Sequence, residues 1–535
     1  MIMMQNMGDN FVYLVSCTKA EPLDGEMLNE LMRRANFVLA EPCGGNGICG
    51  KCRVKIEGDA PDISEAERQF LSEEEIRAGI RLACQTKARK GMVVSRAEPL
   101  PGGMKIISEG ADSFRDMERA DKGASYSIAI DIGTTTLVAY LVSRESGAVI
   151  AVSSAVNPQA VFGADVISRI SYASERDDGL GVLQNRVVDA VNRLIFNLQR
   201  RAAVAEEEIT EAVVSANTTM EHIFAGVSPK SIGKSPFAPR YRELPAMRAE
   251  QINLALTSGT TVRFLPNISG FVGGDITAGI IYTALARSER LSLLIDIGTN
   301  NEMVLGCKDF MLCCSAAAGP ALEGAKISQG MCATEGAIDH VMMENGELCI
   351  STIDNAPAAG ICGSGLVDAI TLLLGEGVID KSGKFEKKLA VENALLGRLD
   401  MSQKRFLLAE NSKGRVFITQ KDIREVQLAK SAIATGIEIM LEEAGKKLED
   451  VEMVFLAGAF GNYLNIENAA KIGILPKLPP EKIKSVGNSS GLGAIEVICT
   501  PGCWGEAKNV ADRAEHIELA THKEFPLKFV KNLSF

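Results

Sequence analysis

Ile130-Asp-Ile-Gly-Thr-Thr-Thr136 returns further along the chain as Ile295-Asp-Ile-Gly-Thr-Asn-Asn301, and this echo decides the reading of most of the sequence. Each copy closes an apolar run, Ser127 to Ile132 and Leu293 to Ile297, the pattern of a buried strand entering a glycine turn. In such a turn Gly133 or Gly298 lets backbone amides approach phosphate oxygens. Thr134, Thr135 and Thr136 add hydroxyl donors to the first copy, and Thr299 and Asn300 continue the same chemistry in the second. Asp131 and Asp296 are placed to hold Mg²⁺ through water. One D-x-G-T is usually only a turn. Two matching copies suggest a duplicated lobe, with opposed loops that clamp a triphosphate for in-line attack by water.

Working outward, strands and helices alternate from Tyr126 to the end, which predicts α/β layers. Phe455-Leu-Ala-Gly-Ala-Phe-Gly461 reads as a strand entering a glycine turn, where Gly458 and Gly461 would let the backbone lie against a flat base and ribose. Gly487-Asn-Ser-Ser-Gly-Leu-Gly493 is a second small-residue turn. Gly270-Phe-Val-Gly-Gly-Asp275 reads equally as a third phosphate-side turn or as a helix N-cap. Glu323, in the loop Ala316 to Gly324, is a candidate for positioning water, and Cys362-Gly-Ser-Gly365 opens a helix whose amides could take an anion, or whose glycines equally serve close helix packing. His222 reads as a satisfied helix histidine, and Cys313, Cys314, Cys332 and Cys349 as core or surface thiols.

The N-terminal part is organised differently. Cys43-Gly-Gly-Asn-Gly-Ile-Cys-Gly-Lys-Cys52 gives C-x5-C-x2-C, and Cys84 follows at a distance. Three thiolates from one glycine-rich loop and a fourth from elsewhere suit a [2Fe–2S] cluster. A zinc ribbon would bring two C-x2-C pairs, and only one is present. Ser64-Glu-Ala-Glu67 and Ser72-Glu-Glu-Glu75 are capping-box patterns that predict two short helices with a solvated acidic face. Ser95 to Ser125, with Pro99, Pro101 and a glycine pair, reads as a linker.

The composition agrees with several soluble domains: 535 residues, 46% hydrophobic, 23% charged. A net charge of −11 argues against general nucleic-acid binding. No apolar run reaches membrane-spanning length, and no secretory signal opens the chain. Thirteen cysteines without an export signal point to the cytoplasm and to metal or redox work rather than to disulfides.

The cysteine module resembles plant-type and adrenodoxin-type ferredoxins. The later turns resemble the phosphate and adenosine motifs of the acetate and sugar kinase/Hsp70/actin (ASKHA) superfamily. The whole chain resembles the reductive activators of corrinoid proteins, through PCGGNGICGKC, RLACQT, AIDIGTTT, NPQAVFGADVISRI, GFVGGDITAG, LLIDIGTN, SAAAGPALEGA, GICGSGL and FLAGAFGN. The resemblance implies a multidomain α+β and α/β fold. Residues 1–95 would form a β-grasp ferredoxin-like domain, 96–125 a flexible linker, 126–290 a first ATPase lobe and 291–535 a second. It leaves open that 126–206 is a separate middle module, in which case Asp131 to Thr136 would stand outside the main nucleotide cleft. It implies a [2Fe–2S] cluster on Cys43, Cys49, Cys52 and Cys84, with ATP and Mg²⁺ at the paired turns. The implied activity is ATP-dependent reduction of a corrinoid protein from Co(II) to Co(I), by a homodimer supplied by a separate electron donor. Two rivals remain at this stage. One is an ATP-driven donor to another low-potential metalloenzyme, of the radical dehydratase or reductase activator type. The other is a non-enzymatic, redox-sensing nucleotide-binding regulator.

Overall fold

In the computed structural model, residues 12–14, 18–35, 47, 50, 52–58, 60–96, 125–316, 319, 321–324, 326–386, 395–458 and 464–535 are described. Cys43, Cys49, Gly461 and most of the linker lie outside the described residues. The chain divides into two compact units, residues 1–102 with 158–172, and residues 103–157 with 173–535.

The first unit holds a five-stranded mixed sheet. Its order is Thr18–Ala20, Val12–Leu14, Val93–Arg96, Arg53–Glu57, Ile80–Leu82. Helix Leu28–Arg34 covers it, because Leu28, Leu31 and Met32 share one stripe and are all fully buried. Both capping boxes form, at Ser64/Glu67 and Ser72/Glu75. The expected solvated acidic face is corrected at Glu67, which is 0% exposed. Its carboxylate takes two 2.9 Å bonds from the buried Arg81 guanidinium, and also accepts the Leu82 amide and the Thr86 hydroxyl. Arg81 in turn donates to the carbonyls of Pro61 and Asp62. A buried pair with its remaining donors satisfied is the arrangement that tolerates desolvation. In the same unit Arg169 is fully buried and donates to the Gly163 carbonyl and the Gln159 side chain.

The second unit carries two six-stranded sheets of matching plan. In the first, Tyr126–Ile132, Thr136–Ser143 and Val149–Val156 form an antiparallel meander. Ile209–Ala216 and then Thr261–Phe264 add in parallel beside the opening strand. In the second, Ser292–Asp296, Glu302–Gly306 and Met311–Ser315 form the meander, and Met453–Ala457 and Ile483–Gly487 add in parallel. The expected duplication is therefore present as topology as well as sequence. The three strands between Tyr126 and Val156 share a sheet with Ile209–Ala216, whose Ser215 pairs with Asp131.

Each plan ends in a helix, Gly274–Tyr282 after the first sheet and Ser489–Cys499 after the second. The two helices pack at Gly279 and Gly493, where a Cβ on Gly493 would come within 2.1 Å of the Ala278 carbonyl. Each thereby reaches the turn of the opposite sheet.

Candidate functional site

The two D-x-G-T turns face one cavity of about 250 Å³. Asp131, Gly133, Thr134, Thr135 and Thr136 line it from the first turn, and Asp296, Gly298, Thr299 and Asn300 from the second. Glu323 and Gly458 line it as well. The alternative in which Asp131 to Thr136 stand apart from the second turn is therefore not the arrangement found.

Glu323 joins the turns. Its carboxylate accepts the Thr135 hydroxyl at 3.0 Å and the Thr299 hydroxyl at 3.0 and 3.2 Å. Gly458 is tied to the second turn by shape. Its φ is +88°, and a Cβ there would come within 2.6 Å of the Ile297 carbonyl and 2.7 Å of Asp296 Oδ1. Only glycine combines that conformation with that approach.

The walls are strongly acidic. Asp131, Asp275, Asp296 and Glu302 all line the cavity, and among the described residues no lysine or arginine does so. Burial raises Asp131 to about 6, although hydrogen bonds from Ser490 and Asn488 work against the rise. Burial, with the charges of Asp131 and Glu323, takes Asp296 to about 7. Burial and the Asp296 charge take Asp275 to about 8 and, with Asp275 itself, push Glu302 well above the carboxylate range. Carboxylates crowded in this way repel a polyphosphate unless a cation enters with it. No group of three or more His, Cys, Asp or Glu stands closely enough for direct metal ligation among the described residues. The carboxylates that do line the cavity suit a hydrated cation shared with phosphate oxygens.

Several contributors escaped the sequence reading. Asn157, fully buried, donates its side-chain amide to the Gly133 carbonyl at 2.8 Å and its backbone amide to the Thr135 carbonyl at 2.8 Å. Asn217 donates to the Thr134 hydroxyl at 3.1 Å. Glu302 pairs directly across the hairpin from Asp296, and an acid so soon after the D-x-G-T was its signal. Cys332, read as an ordinary thiol, and Cys362, read only as part of a helix start, both line the cavity, and burial raises both, Cys332 to about 11. Asp275 is not an N-cap. Gly273 holds that place and Asp275 stands in the first helical turn. His222 is satisfied as expected, with Nδ1 2.8 Å from the Thr218 carbonyl.

In the first unit Cys52 and Cys84 are buried, with their sulfurs 3.3 Å apart. Gly47 has φ +71°, and a Cβ there would strike Gln85, whose amide nitrogen is 3.7 Å from the Cys84 sulfur. Two converging thiols and a backbone folded tightly beside them fit the cluster's ligand loop. Cys43 and Cys49 lie outside the described residues, so the four-ligand set is not seen whole.

Two like sheets closing over paired D-x-G-T turns are the arrangement that the sequence echo predicts. The comparisons with known proteins divide the chain into three regions and place the ASKHA domain in the last of them. Residues 16–89 match the 2Fe-2S iron-sulfur cluster binding domain, 126–288 the RACo middle region, and 290–535 the C-terminal ASKHA domain of RACo. The corrinoid activation enzyme RamQ of Eubacterium limosum is 38% identical, over 77% of this chain and 70% of the relative. The [Co(II) methylated amine-specific corrinoid protein] reductase of Methanosarcina barkeri is 26% identical, over 77% of each. A solved structure titled reductive activator for corrinoid, iron-sulfur protein is 31% identical, with a TM-score of 0.70 and 98% of each chain covered. The chain belongs to the RACo-type reductive activators of corrinoid proteins.

Proposed function

We propose that this chain couples ATP hydrolysis to the one-electron reduction of a corrinoid protein, returning inactive Co(II) to Co(I). The observation that carries the reading is the meeting of both D-x-G-T turns at Glu323, in a chain whose other unit brings two cluster cysteines sulfur to sulfur. Amides and hydroxyls of residues 133–136 and 298–300 hold the phosphates from opposite sides, while Gly458 leaves a flat surface for the base and ribose. Asp131 and Asp296 would hold Mg²⁺, which would supply positive charge among the cavity's carboxylates. Glu323, released from Thr135 and Thr299, orients the attacking water.

The [2Fe–2S] cluster, held by Cys43, Cys49, Cys52 and Cys84, supplies one electron at a time. ATP influences delivery only through a difference in affinity between two arrangements of the chain. Closing the turns on a triphosphate, at the expense of their bonds to Glu323, is such a difference. The protein works in the cytoplasm as a homodimer, with a separate electron donor and a corrinoid protein as partners.

The test is anaerobic mixing of the reduced protein with a Co(II) corrinoid protein, with and without Mg·ATP, while Co(I) absorbance is followed. Co(I) should form only with nucleotide. Its absence with every corrinoid protein tried rejects the reading.

A further inference from the structure

Between helix Thr218–Phe224 and strand Met247–Arg248 the chain runs through residues 225–246 without helix or strand. A connection of that length inside a compact unit is uncommon unless it serves a function. It is firmly built. His222, buried in the preceding helix, donates Nδ1–H to the Thr218 carbonyl, which leaves Nε2 to accept the Tyr241 amide at 3.4 Å. The Asn267 amide donates to the Arg242 carbonyl at 2.7 Å, and Ile232 and Leu244 are buried beneath the loop.

The outward side is cationic. From Val227 to Arg242 there are two lysines and two arginines and no acidic residue, in a chain of net charge −11. Lys230, Lys234 and Arg240 are exposed and have no ion-pair partner among the described residues. Tyr241 is 38% exposed beneath the Arg240 guanidinium. Beside them lies a cavity of about 230 Å³, walled largely by Pro236, Phe237, Pro239, Ile268 and Phe271, with the two phenyl rings 5.4 Å apart. Its polar wall carries Arg242, His516 and Glu518. None of this belongs to the nucleotide cavity.

We propose that this loop is the docking surface for an acidic face of the corrinoid protein, with one apolar side chain of the partner seated between Phe237 and Phe271. The inference rests on the function proposed above. In a chain of net charge −11 such a patch attracts an acidic partner that the chain as a whole repels, and so favours one approach and orientation. An aromatic pocket with an arginine in its wall is also the composition in which interface energy concentrates. Nucleic acid is the poorer occupant, because the rest of the chain repels a polyanion and the pocket is apolar.

The experiment uses the full-length, cluster-loaded protein and a Co(II) methylamine-specific corrinoid protein, with other corrinoid proteins as further probes. The variant is Lys230→Glu, Lys234→Glu and Arg240→Glu together. Expected is at least a tenfold rise in Kd at low salt, a gap between wild type and variant that narrows as salt increases, and unchanged basal ATP hydrolysis. A photocrosslinker in place of Tyr241 should join to the corrinoid protein. Equal binding by wild type and variant overturns the surface and leaves the function standing. Failure of the wild type to bind any of the corrinoid proteins overturns both. A gel shift of single-stranded DNA that the variant loses, with corrinoid-protein binding unaltered, also overturns the proposal.

Discussion

The two D-x-G-T turns are near copies in sequence and close to opposites in their surroundings. Asp131 is held by the Ser490 hydroxyl at 2.7 Å and the Asn488 amide at 2.9 Å, both borne at the start of the helix that follows the other sheet. Asp296 has no side-chain hydrogen-bond partner among the described residues. Across the hairpin Asp131 faces Val138, whereas Asp296 faces Glu302. Beneath the first turn Asn157 braces two carbonyls, whereas at the corresponding place the second turn receives one backbone amide, Ala316 to Asn301. The two turns share a sequence, and their surroundings make one Asp a hydrogen-bonded anchor and the other a carboxylate without such donors among the described residues. Burial raises both carboxyls, but hydrogen bonds from Ser490 and Asn488 restrain Asp131, whereas the charges of Asp131 and Glu323 add to the rise at Asp296.

The contrast can be broken by substitution. Asp296→Asn should have the largest effect, a loss of about 100-fold or more in Mg·ATP hydrolysis with nucleotide binding retained, read by phosphate release and calorimetry. A loss equal to that of Asp131→Asn would mean that the turns do not divide the work. Gly458→Ala forces a side chain into a left-handed conformation against the second turn and should cost about 1–3 kcal/mol, seen as a lower Tm and weaker nucleotide binding. Ser490→Ala removes the main donor to Asp131. It should cost about 1–2 kcal/mol in thermal unfolding and raise the pH at which Mg·ATP binding is half lost, since fewer donors favour the ionised form. The smallest change is Asn157→Ala, about fivefold in nucleotide affinity, corresponding to one neutral hydrogen bond of roughly 1 kcal/mol. An unaltered titration would show that the backbone brace suffices in both turns.

Much of this site was legible because local chemistry announces it. A strand that ends in Asp-x-Gly-Thr must turn, and its repetition forecasts two lobes. The capping boxes at Ser64 and Ser72 were equally local, and both formed. What the sequence withheld depends on chain segments meeting across space. Asn157 and Asn217 are unremarkable until their strands lie beside the first turn. Ser490 reaches Asp131 only because the terminal helices cross at Gly279 and Gly493. Glu67 reads as one more solvated acid, because nothing near it in sequence reveals that Arg81 will be its partner. The cationic loop carries no periodicity at all, so neither helix nor strand patterning marks it.

The Glu67–Arg81 pair sets an acid limit on the redox module. Burial works to raise the Glu67 carboxyl, yet the bonds from Arg81, Ser64 and Leu82 outweigh it and hold Glu67 below its ordinary value. A depressed carboxyl contributes stability that is present above its unfolded value near 4.5 and is lost as pH falls through the folded value. Protonation would leave Arg81 buried without its counter-charge, a cost of about 3–5 kcal/mol. The same carboxylate fixes Leu82 and Thr86, each two residues from Cys84. Acid unfolding and loss of the iron–sulfur chromophore should therefore fall in one transition when absorbance and circular dichroism are followed together. Two separate transitions would show that Cys84 is held independently of its neighbours.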